Sequence, residues 1–280
     1  MAVTNRKVIY TAFTGNDDRL LPPAVVDPDI DYIACADAPA ESLPPPWQHR
    51  PIAVKARNPR VAARWYKVLP HRHLPEYEPS FWLDANYEIA GSFSVLFDEL
   101  AGSALLATRA HPERDCLYDE AEIVKSERLD HPEIVDIQMA YYRRLGYPAR
   151  NGLVETNALF RAHRNDRVGA AMEDWWQQIE IFSQRDQLSA DFVMWKHELQ
   201  WAPLPWRERS SAWLRYHTHA RGLHHPGEDD SQPVDWLRHA AIMALRQVTA
   251  QQAALPQPAE PQAAAPRQTW FLHRARAPRA

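Results

Sequence analysis

Short apolar runs alternate with longer amphipathic segments along this chain, a pattern that is typical of an α/β sheet flanked by helices. The apolar runs of strand length are residues 7–13, 31–36, 51–55, 81–84 and 153–160. Helical periodicity marks the segments 59–68, 92–100, 120–129, 131–145, 166–182 and 187–199. The sequence therefore predicts a single α/β domain.

Local signals refine the limits of these elements. Ser92 is of a type that caps helices, Pro132 suits a first helical turn, and Gly146 suits a helix end. We expect the domain to span residues 1–246 and to be followed by a disordered tail over 247–280, because Ala, Gln and Pro dominate there and bury little apolar surface. The arginines and bulky apolar residues near its end favour either a solvated tail or peripheral contact with a membrane.

Composition and charge exclude some classes of protein. The 280 residues are 45% hydrophobic with a net charge of −4, which argues against bulk binding of nucleic acid. No run approaches the about 18 apolar residues that a membrane span needs, and the amino terminus lacks a secretory signal. We therefore expect a cytoplasmic protein, with peripheral contact at the inner membrane face left open. Cys35 and Cys116 are interpreted as ordinary thiols in a reducing compartment.

The segment from Ser80 to Glu88 contains the first candidate chemistry. An apolar run ends abruptly in Asp84, and Asn86 follows after one spacer residue. Oxygen ligands at the carboxyl end of a strand suit Mg²⁺ or Mn²⁺, which neutralise a diphosphate while a glycosidic bond breaks. The same Asp-x-Asn pattern also occurs in turns and helix caps, so the spacing leaves both interpretations open.

A basic face precedes this segment. Arg57, Arg60, Arg64 and Lys67 recur at spacings of three and four, which places them on one side of a helix. Such a face could hold phosphates, or it could be a solvated face whose alkyl stems cover the sheet.

Two later segments carry further candidates. Gly152 permits close approach of a ligand to the backbone. Glu155 and Asn157 share one face of a strand and could bind sugar hydroxyls. The alternative is an edge strand with one solvent-exposed face. Asp186 and Gln187 lie at a helix start, where Asp186 is either a cap or a group facing the reaction centre. The 11 tryptophans fit stacking on sugars, although most are expected in the core.

These residues resemble the glycosyltransferase-like family of plant mucilage-polysaccharide proteins and bacterial proteins. The resemblance covers roughly residues 7–200 and is most specific in Trp82-Leu83-Asp84-Ala85-Asn86 and Arg185-Asp186-Gln187-Leu188-Ser189. The other matching segments are Tyr10-Thr11-Ala12-Phe13, Tyr66-Lys67 with Pro70-His71, Gln138 with Tyr141-Tyr142, Gly146-Tyr147-Pro148 and Gly152-Leu153-Val154-Glu155.

The resemblance implies a GT-A fold, in which a Rossmann-like mixed sheet flanked by helices binds a nucleotide sugar at the carboxyl ends of its strands. It further implies a set of donor contacts: Thr11 and Phe13 near the base and ribose, Asp37 near the nucleoside, Arg64 and Lys67 near the diphosphate, and Asp84 and Asn86 at the metal.

The same resemblance implies that Asp186 and Gln187 contact the transferred sugar, as in retaining enzymes of the glycogenin type. Asn86 replaces the second Asp of the family pattern, which lowers the negative charge of the metal site. A late histidine often completes such a site, and His217 and His219 are the candidates, with His219 chosen.

The sequence thus predicts a metal-assisted glycosyltransferase for surface polysaccharide synthesis. Its partners would be a nucleotide-diphosphate sugar, with a UDP-sugar preferred, and a glycan or glycolipid acceptor, but no nucleic acid. Two alternatives stay open: a non-catalytic protein that binds nucleotide sugars or glycans, and an amide hydrolase of the ceramidase type. The chain lacks the Gly-x-Ser-x-Gly and His-Glu-x-x-His motifs that would support a hydrolase.

Overall fold

The computed structural model describes residues 6–15 and 20–218, together with Ile242, Leu245 and Arg246. The strands within these residues are β1 Arg6–Phe13, β2 Ile30–Ala36, β3 Gln48–Pro51, β4 Tyr77–Leu83, β5 Tyr87–Ile89, β6 Leu106–Ala110, β7 Val154–Arg161, β8 Ala202–Pro203 and β9 Leu214–Tyr216. The α-helices are α1 Pro59–Val68, α2 Pro70–His73, α3 Ser94–Ala101, α4 Leu117–Ser126, α5 Pro132–Arg144, α6 Asp166–Ile181 and α7 Gln187–Lys196.

A seven-stranded mixed sheet with the order β3-β2-β1-β4-β7-β6-β8 organises the domain. Strands β3, β2, β1 and β4 are parallel, whereas β7 runs antiparallel to both β4 and β6. Strands β5 and β9 form a separate antiparallel pair. The predicted α/β fold, a mixed sheet flanked by helices, is confirmed.

Apolar side chains cover both faces of the large sheet. In β1, Val8 and Tyr10 belong to one core cluster, and Ile9 and Phe13 belong to the other. The first cluster packs under α1 and α4 to α7, and the second packs under α3 and the segment around Trp206. Burial on both faces explains why the strands are near-continuous apolar runs.

Most predicted elements are present, and their limits have local causes. Helix α1 has the predicted limits, and its N-cap Asn58 accepts a hydrogen bond from Val61 N at 2.8 Å. Pro132 begins α5, and Gly146 follows it with a left-handed φ of 82°.

The serine cap predicted for the helix at 92–100 was wrong, because α3 begins at Ser94 with Phe93 as its N-cap. Ser92 instead donates its hydroxyl to buried Asp27 Oδ1 at 2.6 Å, and Phe93 N donates to Asp27 Oδ2 at 2.7 Å. A buried carboxylate needs hydrogen-bond donors. Ser92 therefore serves as a donor to Asp27 and does not cap the helix.

The third strand was also misplaced, since β3 is Gln48–Pro51 rather than residues 51–55. Ile52 N makes one last hydrogen bond to Ala36 O of β2 at 3.2 Å, and Val54 packs against the first core cluster beyond the end of the strand. Ala53 N donates to Tyr66 Oη at 2.9 Å. A side chain thus accepts the hydrogen bond that a neighbouring strand would accept if this segment were in the sheet.

Four short strands, β5, β6, β8 and β9, were not predicted, because two to five residues give too little periodicity. The predicted tail over 247–280 lies outside the described residues, as do most of the residues between 219 and 246. Among the helices that the structure describes, none is both long and apolar enough to cross a membrane.

Replacing Asn58 with Ala should lower the free energy of unfolding by about 1 kcal/mol, because the first turn of α1 loses its cap. Urea unfolding followed by far-UV circular dichroism measures this change. Asn58→Ser is the matched control, because a serine hydroxyl can accept the same bond. An equal decrease in the free energy of unfolding in both variants would contradict a capping role for Asn58.

Candidate active site

The centre of the candidate site is the ammonium group of Lys67, whose side chain is 1% exposed. Lys67 Nζ lies 2.6 Å from Asp186 Oδ2 and 3.3 Å from Asp84 Oδ1. It also donates to Thr156 Oγ1 at 3.2 Å and lies 5.5 Å from the centre of the Trp82 ring. Because an unpaired buried charge costs several kcal/mol, these partners are what permit Lys67 to be interior. Four distant segments of the chain therefore meet at one cation.

Asp186 faces this centre and does not cap its helix. It is the N-cap residue of α7, yet its side chain accepts no hydrogen bond from the helix. Asp186 Oδ1 lies 3.0 Å from Arg64 Nε, and Oδ2 accepts a bond from the Thr156 hydroxyl at 2.7 Å. Burial alone would raise the pKa of the Asp186 carboxyl, but the charges of Arg64 and Lys67 outweigh it and hold that pKa well below its usual range.

Three hydrogen bonds hold the turn that precedes Asp186. Buried Asp130 accepts hydrogen bonds from the Ser183 hydroxyl at 2.6 Å and from Gln184 N at 2.8 Å. The Gln184 side chain accepts a bond from Asn58 Nδ2 at 3.1 Å, which ties the turn to the start of α1. The carboxylate and its two cationic partners are thus positioned by one connected set of bonds.

The carbonyl group of Lys67 is also fixed. It accepts hydrogen bonds from the Tyr10 hydroxyl at 2.9 Å and from Arg161 Nη2 at 2.6 Å. Arg161 is fully buried and contacts the Tyr10 hydroxyl as well. Two buried polar side chains that project from the sheet therefore hydrogen-bond the end of α1.

Asp84 is the most exposed member of the network, with 32% of its side chain accessible. Its Oδ1 accepts a bond from Trp82 Nε1 at 2.7 Å, whereas Oδ2 accepts none from the described residues. Asn86 Nδ2 donates to His217 O at 3.1 Å, so its amide oxygen is the group left for a cation. His219 lies outside the described residues.

Asp84 and Asn86 alone are too few ligands to fill the coordination shell of a divalent cation. No cluster of three or more His, Cys, Asp or Glu side chains suited to a metal occurs in the part of the chain that the structure describes. Mg²⁺, however, is commonly held by one or two protein oxygens together with substrate phosphates and water. Asp84 and Asn86 supply two such oxygens at the end of β4.

Strand β7 brings Glu155 to the neighbourhood of a buried arginine. Glu155 forms an ion pair with Arg109, accepts a bond from Asn157 Nδ2 at 3.1 Å, and lies 3.8 Å from Arg209 Nη2. The pairing of β6 with β7 shifts in register between Ala107 and Arg109. Such irregularities re-aim side chains and are frequent beside active sites. Glu155 and Asn157 do share a face, as predicted.

Gly152 and Gln187 contribute at the start of β7, beside Glu155. Gly152 has a φ of 89°, which favours glycine, and its amide donates to Asp115 O at 3.0 Å. Gln187 Nε2 donates to Val154 O at 3.0 Å. Gln187 is therefore held against the strand that carries Glu155 and Thr156.

The predicted nucleoside contacts lie at the carboxyl ends of β1 and β2. Thr11 is 1% exposed, and its hydroxyl has no hydrogen-bond partner among the described residues. Phe13 is mostly buried in the second core cluster, and both Asp37 carboxylate oxygens accept bonds from Gly15 N at 2.9 and 3.1 Å. No described contact joins these three residues to the Lys67 network.

Sequence reasoning missed several members of the site. Thr156, Asp130, Arg109 and Arg161 were given no role, although each is buried and polar. For Thr156, the available signal was a polar side chain within the apolar run 153–160, because a buried polar group must find a partner. Asp130 lies between two helices and Arg109 on an unpredicted strand, so no such pattern marked them.

Comparison with known proteins gives one family match. The model of the family described as "TOD1/MUCI70, glycosyltransferase-like domain" matches residues 50–205, more than half of the chain. This confirms the resemblance seen in the sequence. No curated protein matches.

Several solved structures are distantly similar. Mouse xyloside xylosyltransferase 1 in its apo form has 12% identity and a TM-score of 0.42, covering 70% of this chain and 84% of that one. The bifunctional glycosyltransferase WbbM in its apo form has 10% identity and a TM-score of 0.43, covering 73% and 39%. The glycosyltransferase GlyE of Streptococcus pneumoniae TIGR4 has 12% identity and a TM-score of 0.38, covering 72% and 45%. These similarities are too distant to transfer a residue role or a substrate.

Asp186→Asn should lower the free energy of unfolding at pH 7 by about 3 kcal/mol, because two cations lose their buried partner. Since the folded pKa of Asp186 is depressed, its charge stabilises the fold fully above the unfolded value of about 3.9 and progressively less as pH falls through the lower folded value. The difference from wild type should thus be constant between about pH 5 and 7 and should shrink below about pH 4.

Urea unfolding at several pH values measures this difference. Asp119→Asn is the control, because Asp119 is exposed on α4. This substitution should lower the free energy of unfolding by less than about 1 kcal/mol. A difference for Asp186→Asn that grows on acidification would contradict the assigned pairing.

Proposed function

The chain belongs to the TOD1/MUCI70 glycosyltransferase-like family, and from this premise we propose that it transfers a sugar from a nucleotide-diphosphate donor to a hydroxyl of a glycan or glycolipid. The observation that carries the proposal is the buried network of Arg64, Lys67, Asp84 and Asp186 at the carboxyl ends of the strands. Ligands of open α/β sheets bind at that edge.

In this proposal the donor lies across the ends of β1, β2 and β4. Thr11, Phe13 and Asp37 would border the base and ribose, with a UDP-sugar as the preferred donor. Arg64, with 20% of its side chain exposed, is the better candidate for direct contact with the diphosphate. Lys67 is too buried for that contact and would act by positioning Asp84 and Asp186.

Asp84 and Asn86 would hold Mn²⁺ or Mg²⁺ through their side-chain oxygens. When bound, such a cation neutralises charge that develops on the departing diphosphate. Trp82 keeps the Asp84 carboxylate oriented through its indole N–H. Holding the Asp84 carboxylate in one orientation would also fix the position of the cation. This matters because a misplaced positive charge stabilises the transition state less.

The pairing of Asp186 with Arg64 and Lys67, which keeps its carboxyl ionised, bears on the role that suits it. A carboxylate that holds its charge this firmly is a weak base, so it is poorly suited to take a proton from an acceptor hydroxyl. A fixed negative charge can instead stabilise positive charge on the sugar ring. This supports the retaining course suggested by the Asp186-Gln187 pair, with Gln187 and Glu155 binding hydroxyls.

A second candidate function is binding without catalysis. Asn86 is uncharged where the family pattern has an acidic residue, and a metal site with one carboxylate binds cations less strongly. A protein that retains the donor and does not turn it over would fit the same residues.

Asp84→Asn should abolish the effect of Mn²⁺ on donor binding, because the single anionic oxygen donor is lost. Calorimetric titration with UDP-glucose, UDP-galactose, UDP-xylose and a GDP-sugar, with and without Mn²⁺, measures this. Asp119→Asn serves as the matched control and should bind as wild type does. Metal-dependent binding that survives in Asp84→Asn would contradict the assigned metal site, and no binding of any donor would argue against the proposed function.

Asp186→Asn should reduce kcat for donor turnover by at least about 100-fold with little change in donor affinity, if its charge acts mainly in the transition state. Release of the nucleoside diphosphate from the donor identified by calorimetry measures kcat. The variant must first be shown to be folded at the assay temperature. Binding of a donor by wild type with no turnover in the presence of varied glycan acceptors would favour the binding protein.

A further inference from the structure

A cavity of about 470 Å³ lies away from the ion network, between the end of α7 and the turn that precedes β7. It is of a size that small-molecule sites commonly have. Its walls combine aromatic, apolar and polar side chains, among them Trp195, Trp201, Asn151, Gln200, Asp191 and Met194.

We propose that this cavity binds a neutral oligosaccharide. Trp195 and Trp201 are both half-buried, so each can offer part of its indole to a ligand. Trp195 packs edge-on against Tyr147 with ring centres 5.5 Å apart, and Trp201 packs against the first core cluster. A sugar ring presents an apolar face to such a surface and hydroxyls to amide side chains, which both donate and accept hydrogen bonds.

The charges of the lining favour a neutral ligand over an anionic one. Lys196, the cation among the lining residues, lies 2.7 Å from Asp174 Oδ2 and is therefore neutralised. Glu198, which is exposed, adds a carboxylate to the wall. A uronate chain or a phosphate would meet repulsion there.

The backbone around the cavity is held in unusual conformations. Arg128, Arg150 and Glu198 are the non-glycine residues with left-handed φ in the described part of the chain. Two of them flank this cavity, with Arg150 next to Asn151 and Glu198 itself in the lining. Glu198 follows α7 in the left-handed conformation common at helix ends, with Leu199 N donating to Met194 O at 2.8 Å, and this bond fixes the position of that wall of the cavity.

The cavity is linked to the candidate active site through Val154. Its amide donates to Asp191 Oδ2 at 2.9 Å, and its carbonyl accepts from Gln187 Nε2 at 3.0 Å. At 1.5 Å per residue, the end of α7 lies roughly 12–15 Å along the helix from Asp186. An extended glycan could occupy both places, so we assign the cavity to a distal part of the acceptor; this assignment rests on the proposed function.

Binding of cellohexaose, xylohexaose and maltohexaose to the full chain, followed by indole fluorescence and calorimetry, tests the inference. At least one should bind, and Trp201→Ala should weaken its binding by about tenfold. Trp201→Phe should restore part of the affinity, because a smaller ring still packs on the sugar. Trp213→Ala, which removes a half-buried indole next to the second core cluster, is the matched control and should bind as wild type does.

No binding of a neutral hexasaccharide, equal affinity for hexagalacturonate, or equal loss in Trp201→Ala and Trp213→Ala would each overturn the inference. Calorimetry with the nucleotide sugar on the same preparations separates the two proposals. Donor binding without oligosaccharide binding would leave the proposed function standing and remove this site. Oligosaccharide binding that depends on Trp201, without donor binding, would keep the site and remove the proposed function.

Discussion

The burial of the Lys67 ammonium group between two carboxylates is the constraint on which the rest of the structure depends. A cation with 1% of its side chain exposed is tolerated only where anionic oxygens are already in place. Asp84 must therefore follow directly after β4, and Asp186 must directly precede α7, at the point where α1 ends. Tyr10 and Arg161 complete the arrangement by binding the Lys67 carbonyl. The positions of α1, β4 and the start of α7 are thus set by their contacts with one charged group.

The charge balance of this network bears on how it would work. Arg64 and Lys67 offset Asp84 and Asp186, so the four groups together carry no net charge. In the proposed function, a neutral site would attract a diphosphate weakly, and a cation carried with the donor would be the partner of the exposed Asp84. The buried pairings then serve to keep the charges in fixed positions, and preorganised charge is what stabilises a transition state without further rearrangement.

Strand β7 and helix α7 connect two places that differ in chemistry. One end of α7 presents a buried carboxylate in an ionic network, and the other presents tryptophans to an open cavity. Val154 is held from both sides, by Asp191 and by Gln187. A rigid connection of this kind would let one extended ligand be aligned at a distance from the reacting bond, which is how remote binding energy contributes to orientation.

The sequence by itself determined the layered α/β architecture, the limits of α1 and the family, because periodicity, caps and motif order are local properties. It also singled out Arg64, Lys67, Asp84 and Asp186. Only the tertiary structure decided that these four side chains contact one another, that Asp186 is not a cap, and that the strand after Pro51 does not form. Those outcomes depend on which partners satisfy buried polar groups, and these partners can be far apart in the chain, as Lys67 and Asp186 are at 186 − 67 = 119 residues. No local pattern encodes that choice.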